Sequence, residues 1–183
     1  MTRAEAGLTI RPAHTEDASA VCDFYETLCA ALKDRPGNPR WQWGLYPSAA
    51  WADEAIAAGT MHIALRDGIV VSAMLLNHLR NPRYDAFPWP EALTEDRYLV
   101  LHTLAVADAY AGQGIGTAML RYAQQLTAAA GLRAIRLDVL LGNRPAERLY
   151  AAAGFTLLGS IAMEYAGCGM ITAELFEWRV PGI

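Results

Sequence analysis

Three glycines at alternate positions, Gly112-Gln113-Gly114-Ile115-Gly116, follow a strand-like run from Tyr98 to Ala107 and precede a helical pattern. Such a turn removes Cβ atoms where a strand becomes a helix. The main-chain N–H groups from Gly112 to Thr117 can then converge on an anion at the positive end of the helix dipole. Phosphate or pyrophosphate is the natural ligand of that arrangement, and a tight packing corner is the competing reading of the same glycines. No Lys-Ser/Thr pair follows, so this is not a Walker A loop, and GxGxG is not the GxGxxG spacing of dinucleotide-binding turns. Within the preceding strand His102 is titratable near neutral pH, with a structural role as its alternative. Asn143 stands where a short helix begins and reads as an N-cap.

The elements that position these residues follow from periodicity. Leu8-Thr9-Ile10-Arg11 alternates as a strand and breaks at Pro12. Val21, Phe24, Tyr25, Leu28, Ala31 and Leu32 share one helical face, with Thr15 as the expected N-cap and Glu16 and Asp17 in the first turn. Residues 35–47 form an aromatic loop holding Trp41, Trp43 and Tyr46, and a second helix runs from Ser48 to Ala58. Met61–Leu65 and Val70–Leu76 flank Asp67-Gly68 as a hairpin. Residues 79–97 make a long connection with Tyr84, Phe87 and Trp89, of the kind that is functional or mobile. After the glycines, Ile115, Ala118, Met119, Tyr122 and Leu126 mark a helix. A strand over Ala134–Leu141, a helix to Ala153 and closing strands near 156–163 and 171–180 complete the chain. The order β-α-α-β-β-β-α-β-α-β-β implies an α/β (α+β) fold. One domain over residues 1–183 would hold a central, mixed, mostly antiparallel sheet with helices on both faces.

A second motif follows the glycine turn by about 30 residues: Asn143-Arg144-Pro145-Ala146, then Leu149-Tyr150, then Gly154-Phe155. With Leu104-Ala105-Val106 and the glycines, it resembles the GNAT superfamily of acetyl-CoA-dependent N-acetyltransferases. The resemblance implies that main-chain groups of Leu104, Ala105 and Val106 pair with the pantetheine arm. It places the pyrophosphate on Ala111, Gly112, Gln113, Gly114, Ile115, Gly116 and Thr117, and adds Asn143 and Ala146 to the cofactor site. The strands bearing Leu104 and Asp138 would splay to admit the thioester. Tyr150 would be the general acid that protonates the departing thiolate, at a cost of about 2 kcal/mol for a phenol of pKa near 10 and a thiol near 8.5. A core tyrosine is the alternative that composition favours. The family's Gln or Arg before the first glycine falls here on Ala111, which shifts pyrophosphate binding onto main-chain N–H groups. The family's frequent strand glutamate falls on Tyr98. The base is then His102, with Tyr98, Glu95, Asp96, His78 or a water relay as alternatives. The resemblance thus implies acetyl transfer from acetyl-CoA to a primary amine by direct attack in a ternary complex, without a metal. A non-catalytic acyl-CoA-binding or sensing module of the same fold is the alternative.

Composition agrees with a folded enzyme domain. Of 183 residues, 54% are hydrophobic and 19% charged, enough apolar surface for a core. A net charge of −4 with no basic stripe argues against nucleic acid. No apolar run approaches the length of a membrane span, and Met1-Thr2-Arg3-Ala4-Glu5 lacks a signal-peptide core, so the chain reads as cytoplasmic. Cys22, Cys29 and Cys168 have neither CxxC spacing nor an even count, which argues against disulfide or zinc frameworks. Cys22 and Cys29 fall on the apolar helix face, while Cys168 has no histidine near it in sequence. The acceptor reads as a small-molecule amine or a peptide or protein amine, and the resemblance allows a homodimer built through the closing strands. A valine at Gly114 or Gly116 is expected to weaken CoA binding by filling the cradle.

Overall fold

The hairpin at Asp67-Gly68 joins the second and third strands of the sheet. Its strands β2 (Met61–Arg66) and β3 (Ile69–Asn77) are buried on both faces because helices cover both. The computed structural model describes residues 7–35, 37–165 and 169–182; Met1–Glu5, Pro36 and Cys168, read above from sequence, lie outside them. The remaining elements are β1 (Leu8–Pro12), α1 (Ala18–Leu32), α2 (Ala49–Ala57), β4 (Tyr98–Val106), α3 (Ile115–Ala129), β5 (Ala134–Leu140), α4 (Arg144–Ala152), β6 (Thr156–Tyr165) and β7 (Gly169–Arg179). Among the described residues they build one seven-stranded sheet in the order β1-β2-β3-β4-β5-β7-β6. Only β4 and β5 are parallel neighbours there; the other pairs run antiparallel.

Alternation along the strands sorts the core into two layers. Ala64, Val71, Met74, Leu76 and Leu101 meet Ile115, Met119 and Leu120 of α3 and Tyr150 of α4. On the opposite face Ile63, Val70, Ala73 and Leu75 meet Val21, Phe24, Tyr25 and Leu28 of α1 and Ala52 and Ile56 of α2.

Two local expectations are corrected. Thr15 does not cap α1. A 3-10 turn covers Thr15–Asp17 and the α-helix starts at Ala18. The Asp17 carboxylate accepts the His14 N–H (2.8 Å) and both Arg11 guanidinium donors (2.6 and 2.9 Å), so the acid rather than the hydroxyl closes this end. The long connection 79–97 is anchored, not loose. It holds 3-10 turns at Pro82–Ala86 and Glu95–Arg97, with Tyr84 buried between them and the sheet. Arg136 of β5 lies between the rings of Trp89 (4.1 Å) and Tyr98 (4.2 Å) and donates to the Glu91 carbonyl (2.8 Å). Its charge is met by Glu177 on β7 at 2.9 Å, both side chains being 2–3% exposed. Removing either member would strand a buried charge, at a cost of about 3–5 kcal/mol.

His62 of β2 is buried against Tyr122, with Nδ1 lacking a hydrogen-bond partner. Burial pushes its pKa down to about 4. The folded state therefore holds His62 neutral, while the unfolded chain takes up a proton below about 6.5. Stability from this residue is present above that value and is lost as pH falls from about 6.5 toward 4. Thermal melts are expected to show Tm dropping between pH 7 and pH 5, and His62→Leu should reduce that drop while leaving Tm at pH 7 equal or higher. An unchanged pH slope in His62→Leu would refute the assignment.

Candidate active site

β4 and β5 pair only through Tyr98–Ala134, Leu99–Ile135 and Val100–Arg136. Beyond Val100 the two strands part, because each follows its other neighbour. β5 stays in register with β7 to Leu140–Ala173, and β4 follows β3 through an irregular pairing at Ala73/Leu75. The irregularity is a bulge at Thr103, whose φ is +51°. It flips the side-chain alternation, so Leu101, Leu104 and Val106 all pack toward α3. His102, two residues before Leu104, lies on the opposite face of the sheet because the bulge falls between them. The Tyr25 hydroxyl donates to the Thr103 carbonyl at 3.0 Å, tying the bulge to α1.

The parted strands leave main-chain groups unclaimed. The Ala107 N–H donates to Val71 (2.9 Å) and the Ala105 carbonyl accepts the Ser72 hydroxyl (2.6 Å), so both face β3. By alternation Leu104 and Val106 turn their N–H and C=O toward the gap that β5 has left. Along this gap lies a cavity of about 330 Å³. Leu101–Val106, Asp138–Leu140, Asn143, Ala146, Leu149 and Tyr150 line one side of it, and Leu28, Leu32, Trp41, Tyr46, Tyr165 and Ile171 the other.

At the far end of β4 the glycine turn opens α3. Asp108–Tyr110 forms a 3-10 turn, Ala111 is extended and exposed, and Gly114 caps α3 at φ +78°, in the left-handed region open to glycine. The first N–H groups of α3, from Ile115 to Thr117, have no carbonyl one turn earlier to meet. Ile115 itself is core, so only its main chain is available to a ligand. Gly116 serves a different purpose: a Cβ there would meet Leu149 Cδ2 at 3.0 Å and Val106 Cγ2 at 3.7 Å. The Gln113 side chain is engaged, accepting from Arg66 Nη1 (2.7 Å) and donating to the Ala109 carbonyl (3.2 Å). Arg66, which sequence reading passed over, thus brings a guanidinium from the β2 end to the cradle that Ala111 leaves without a polar side chain. At the other side of the turn Arg35 forms a two-pronged ion pair with Asp108, drawing the 35–47 loop across the mouth of the cavity.

Asn143 is the N-cap of α4, its Oδ1 accepting from the Ala146 N–H at 3.4 Å, and it also lines the cavity. Tyr150 is wedged against Phe155 and Phe176 (centroids 5.6 and 6.0 Å), and burial with the nearby Asp138 charge raises its phenol above the ordinary value. His102 donates through Nε2 to the Leu79 carbonyl (3.0 Å) and Asn77 Oδ1 (3.1 Å), and burial lowers its pKa to about 4. It is therefore neutral near pH 7, with Nδ1 unprotonated. The other base candidates lie elsewhere. Tyr98 is under Arg136, Glu95 is paired with Arg80, the Thr94 hydroxyl holds Asp96 below its ordinary value, and His78 Nδ1 contacts the Glu95 and Tyr98 carbonyls. Cys29 is buried in α1 and Cys22 half-buried, neither lining the cavity.

Sequence reading gave Asp138 no role beyond its place on the splayed strand. It is the one acid in the apolar run Ala134–Leu140, and it lines the cavity where the strands part. The Tyr84 hydroxyl donates to Oδ1 at 2.7 Å, and the Tyr165 hydroxyl donates to Oδ2. Burial raises its pKa to about 6, opposed by the Tyr84 hydrogen bond.

A strand pair opened by a bulge runs here between a glycine-capped helix and a tyrosine-bearing one, and residues 23–155, which hold all of these, match the Acetyltransferase (GNAT) family. The chain belongs to that family. A GNAT relative from Bacillus subtilis (strain 168), named Uncharacterized N-acetyltransferase YesJ, is 28% identical over 158 residues, covering 84% of each chain. The crystal structure of a GNAT-family acetyltransferase from Streptococcus agalactiae 2603 superposes with a TM-score of 0.76 at 19% identity, over 94% of this chain and 95% of that one. Arabidopsis thaliana NAA60 in complex with acetyl-CoA gives 0.66 at 17% identity, over 94% and 99%. The GNAT fold is thus shared along nearly the whole chain. Among the described residues no helix is long and apolar enough to cross a membrane.

In this GNAT chain the two glycines separate in effect. Gly116→Val is expected to lower Tm by several degrees, since overpacking against Leu149 costs about 1–3 kcal/mol. An unchanged Tm for Gly116→Val would show that α3 and α4 are not locked together at that point.

Proposed function

We propose that the chain transfers the acetyl group of acetyl-CoA to a primary amine, by direct attack with both substrates bound. The observation that carries this reading is the continuous path from the α3 cradle, along the open edge of β4, into the cavity lined by Tyr150. A pyrophosphate fits the unpaired N–H groups between Gly112 and Thr117, with Arg66 supplying the positive charge that Ala111 does not. Leu104 and Val106 offer an edge on which the pantetheine amides lie as an added strand, so the thioester arrives where β4 and β5 separate. Asn143 and Ala146 border the same arm. NAA60, with the same fold, was captured with acetyl-CoA.

Attack by the amine on the carbonyl carbon gives a tetrahedral intermediate, and its collapse breaks the C–S bond. Tyr150 donates its proton to the departing sulfur. Burial keeps the phenol protonated throughout the working range, and the same apolar surroundings raise the thiol's pKa. The mismatch between donor and leaving group thus stays near the aqueous value of about 2 kcal/mol. His102, neutral and fixed through Nε2, borders the reaction space from the opposite face of the sheet and keeps an unprotonated Nδ1 there.

Tyr150→Phe is expected to lower kcat about 100-fold or more in thiol-release assays, with acetyl-CoA affinity by calorimetry unchanged. Wild-type kcat in that variant would remove Tyr150 from the chemistry. Arg66→Ala and Gly114→Val should instead raise the Kd for acetyl-CoA about tenfold, the scale of one charge-assisted contact, with Tyr150 chemistry intact at saturation. CoA binding without turnover across a broad amine panel would identify a sensing module.

A further inference from the structure

Resting on acetyl transfer as proposed above, we infer that Asp138 receives the acceptor's ammonium group and takes its proton, and that the acceptor is a compact monoamine with an apolar or aromatic body. Three features of the cavity carry this. First, Asp138 stands where the strands separate, and it faces Tyr84 from the 79–97 connection, Tyr165 from β6 and the charge-sensitive hydroxyls of Tyr150 and Tyr46. Each carboxylate oxygen already accepts one phenolic hydrogen bond. A carboxylate has about four lone-pair sites, so two hydroxyls orient it and still leave room for N–H donors. Its charge is also felt at Tyr150, so proton acceptor and proton donor address one reaction centre.

Second, among the described residues Asp138 is the one acid of the lining that no cation pairs, and the other polar side chains there, such as His102, Asn143 and Tyr150, are neutral. Asp108, the other acid there, is held by Arg35 at the mouth. The cavity's apolar walls include Leu28, Leu32, Trp41, Ile171 and the ring of Tyr46. A polyamine would bury a second ammonium against these walls without a partner, and an amino acid would bring a carboxylate to a site whose lining cation is already paired. A peptide would leave main-chain amides unsatisfied there. Third, the cavity of about 330 Å³ must also hold the thioester end of the donor, which limits the acceptor to a small body.

The proton balance closes without another reactant. Asp138 takes a proton from R–NH3+, and the freed lone pair forms the C–N bond. On collapse the C–S bond breaks and Tyr150 protonates the sulfur. The second nitrogen proton returns to Tyr150 through water, and Asp138 releases its own to solvent. The net products are the amide, free CoA thiol and one proton. A buried carboxyl titrating near 6 remains ionised at neutral pH yet is a better base than an exposed one, and apolar walls lower the ammonium pKa toward it.

The test is thiol release by the full chain with acetyl-CoA and 2-phenylethylamine, spermidine, glycine or an alanyl tripeptide. The arylalkyl monoamine is expected to lead in kcat/KM by about tenfold or more, the discrimination a mismatched pocket gives. Its log kcat/KM should rise with pH through an inflection near 6, as the carboxyl ionises. Asp138→Asn should cut kcat/KM about 100-fold and abolish that inflection with acetyl-CoA affinity and Tm retained, and Asp138→Glu should restore part of both. Tyr84→Phe, which removes a hydrogen bond to the charged form, should move the inflection to higher pH. Preference for spermidine, glycine or the peptide overturns the acceptor class while the transfer reading stands. Retention of rate and inflection in Asp138→Asn, with both lost in His102→Asn, gives the proton to His102 instead. Acetyl-CoA binding with no turnover of any amine overturns the transfer reading itself, and this inference with it.

Discussion

Thr103 sits at φ +51°, a region that a β-branched side chain enters at a cost of about 1–3 kcal/mol, and it is held there by a phenol from another layer. The Tyr25 hydroxyl donates to its carbonyl, while the Tyr25 ring is itself fixed edge-on by Phe24, Trp41 and Trp51. Burial raises the Tyr25 phenol well above its ordinary value, so the donor proton is never lost. Were β4 regular at this point, Leu104 would leave the α3 face and the strand could continue along β5. The gap, the open main-chain edge and the cavity all follow from one misaligned residue. The aromatic cluster around α1 therefore does more than fill the space beneath the sheet.

A second line of support runs to Asp138 from below. Arg136, two residues earlier on β5, is neutralised by Glu177 and stacked between Trp89 and Tyr98. The Trp89 indole donates to the Tyr84 carbonyl at 2.8 Å, and the Tyr84 hydroxyl reaches Asp138. A buried ion pair is weak evidence for stability. Here its geometric effect is plain: it nails a long connection to the sheet and thereby aims a phenol at a carboxylate. Apart from two 3-10 turns the connection is irregular, and its aromatic residues pack both on one another, Trp89 against Tyr84 and Phe87, and around the Arg136 charge.

What was legible in the sequence was local conformation, set by the main chain and by residues adjacent in it. The element order, the Asp67-Gly68 hairpin, the helix opening after Gly114 and the α4 cap at Asn143 are short-range matters. Glycine and asparagine mark them because few other residues adopt those conformations. The same reading placed the strand splay, but through resemblance, not through any residue. The Thr103 bulge leaves no local mark, since its cause is a tyrosine 78 positions earlier. Asp138 looked like an ordinary strand residue because its partners lie 54 and 27 positions away. Arg66 stands 47 residues before the Gln113 it contacts, so the charge near the glycine turn could not be read from the turn. That His102 and Leu104 lie on opposite faces was hidden for the same reason: strand alternation is reliable only until a bulge interrupts it.

The two sides of the cavity are made of different material. Along β4 and the start of α3 the groups open to the gap are main-chain N–H and C=O, which every residue carries and which substitution alters little so long as the backbone path survives. On the other side they are the side chains of Leu28, Leu32, Trp41, Tyr46 and Ile171, each replaceable by a single codon change. A lineage carrying this chain can therefore revise what it accepts without revising what it is fed by. The α1 end and the 35–47 loop are where diverging descendants of one ancestor would be expected to differ first.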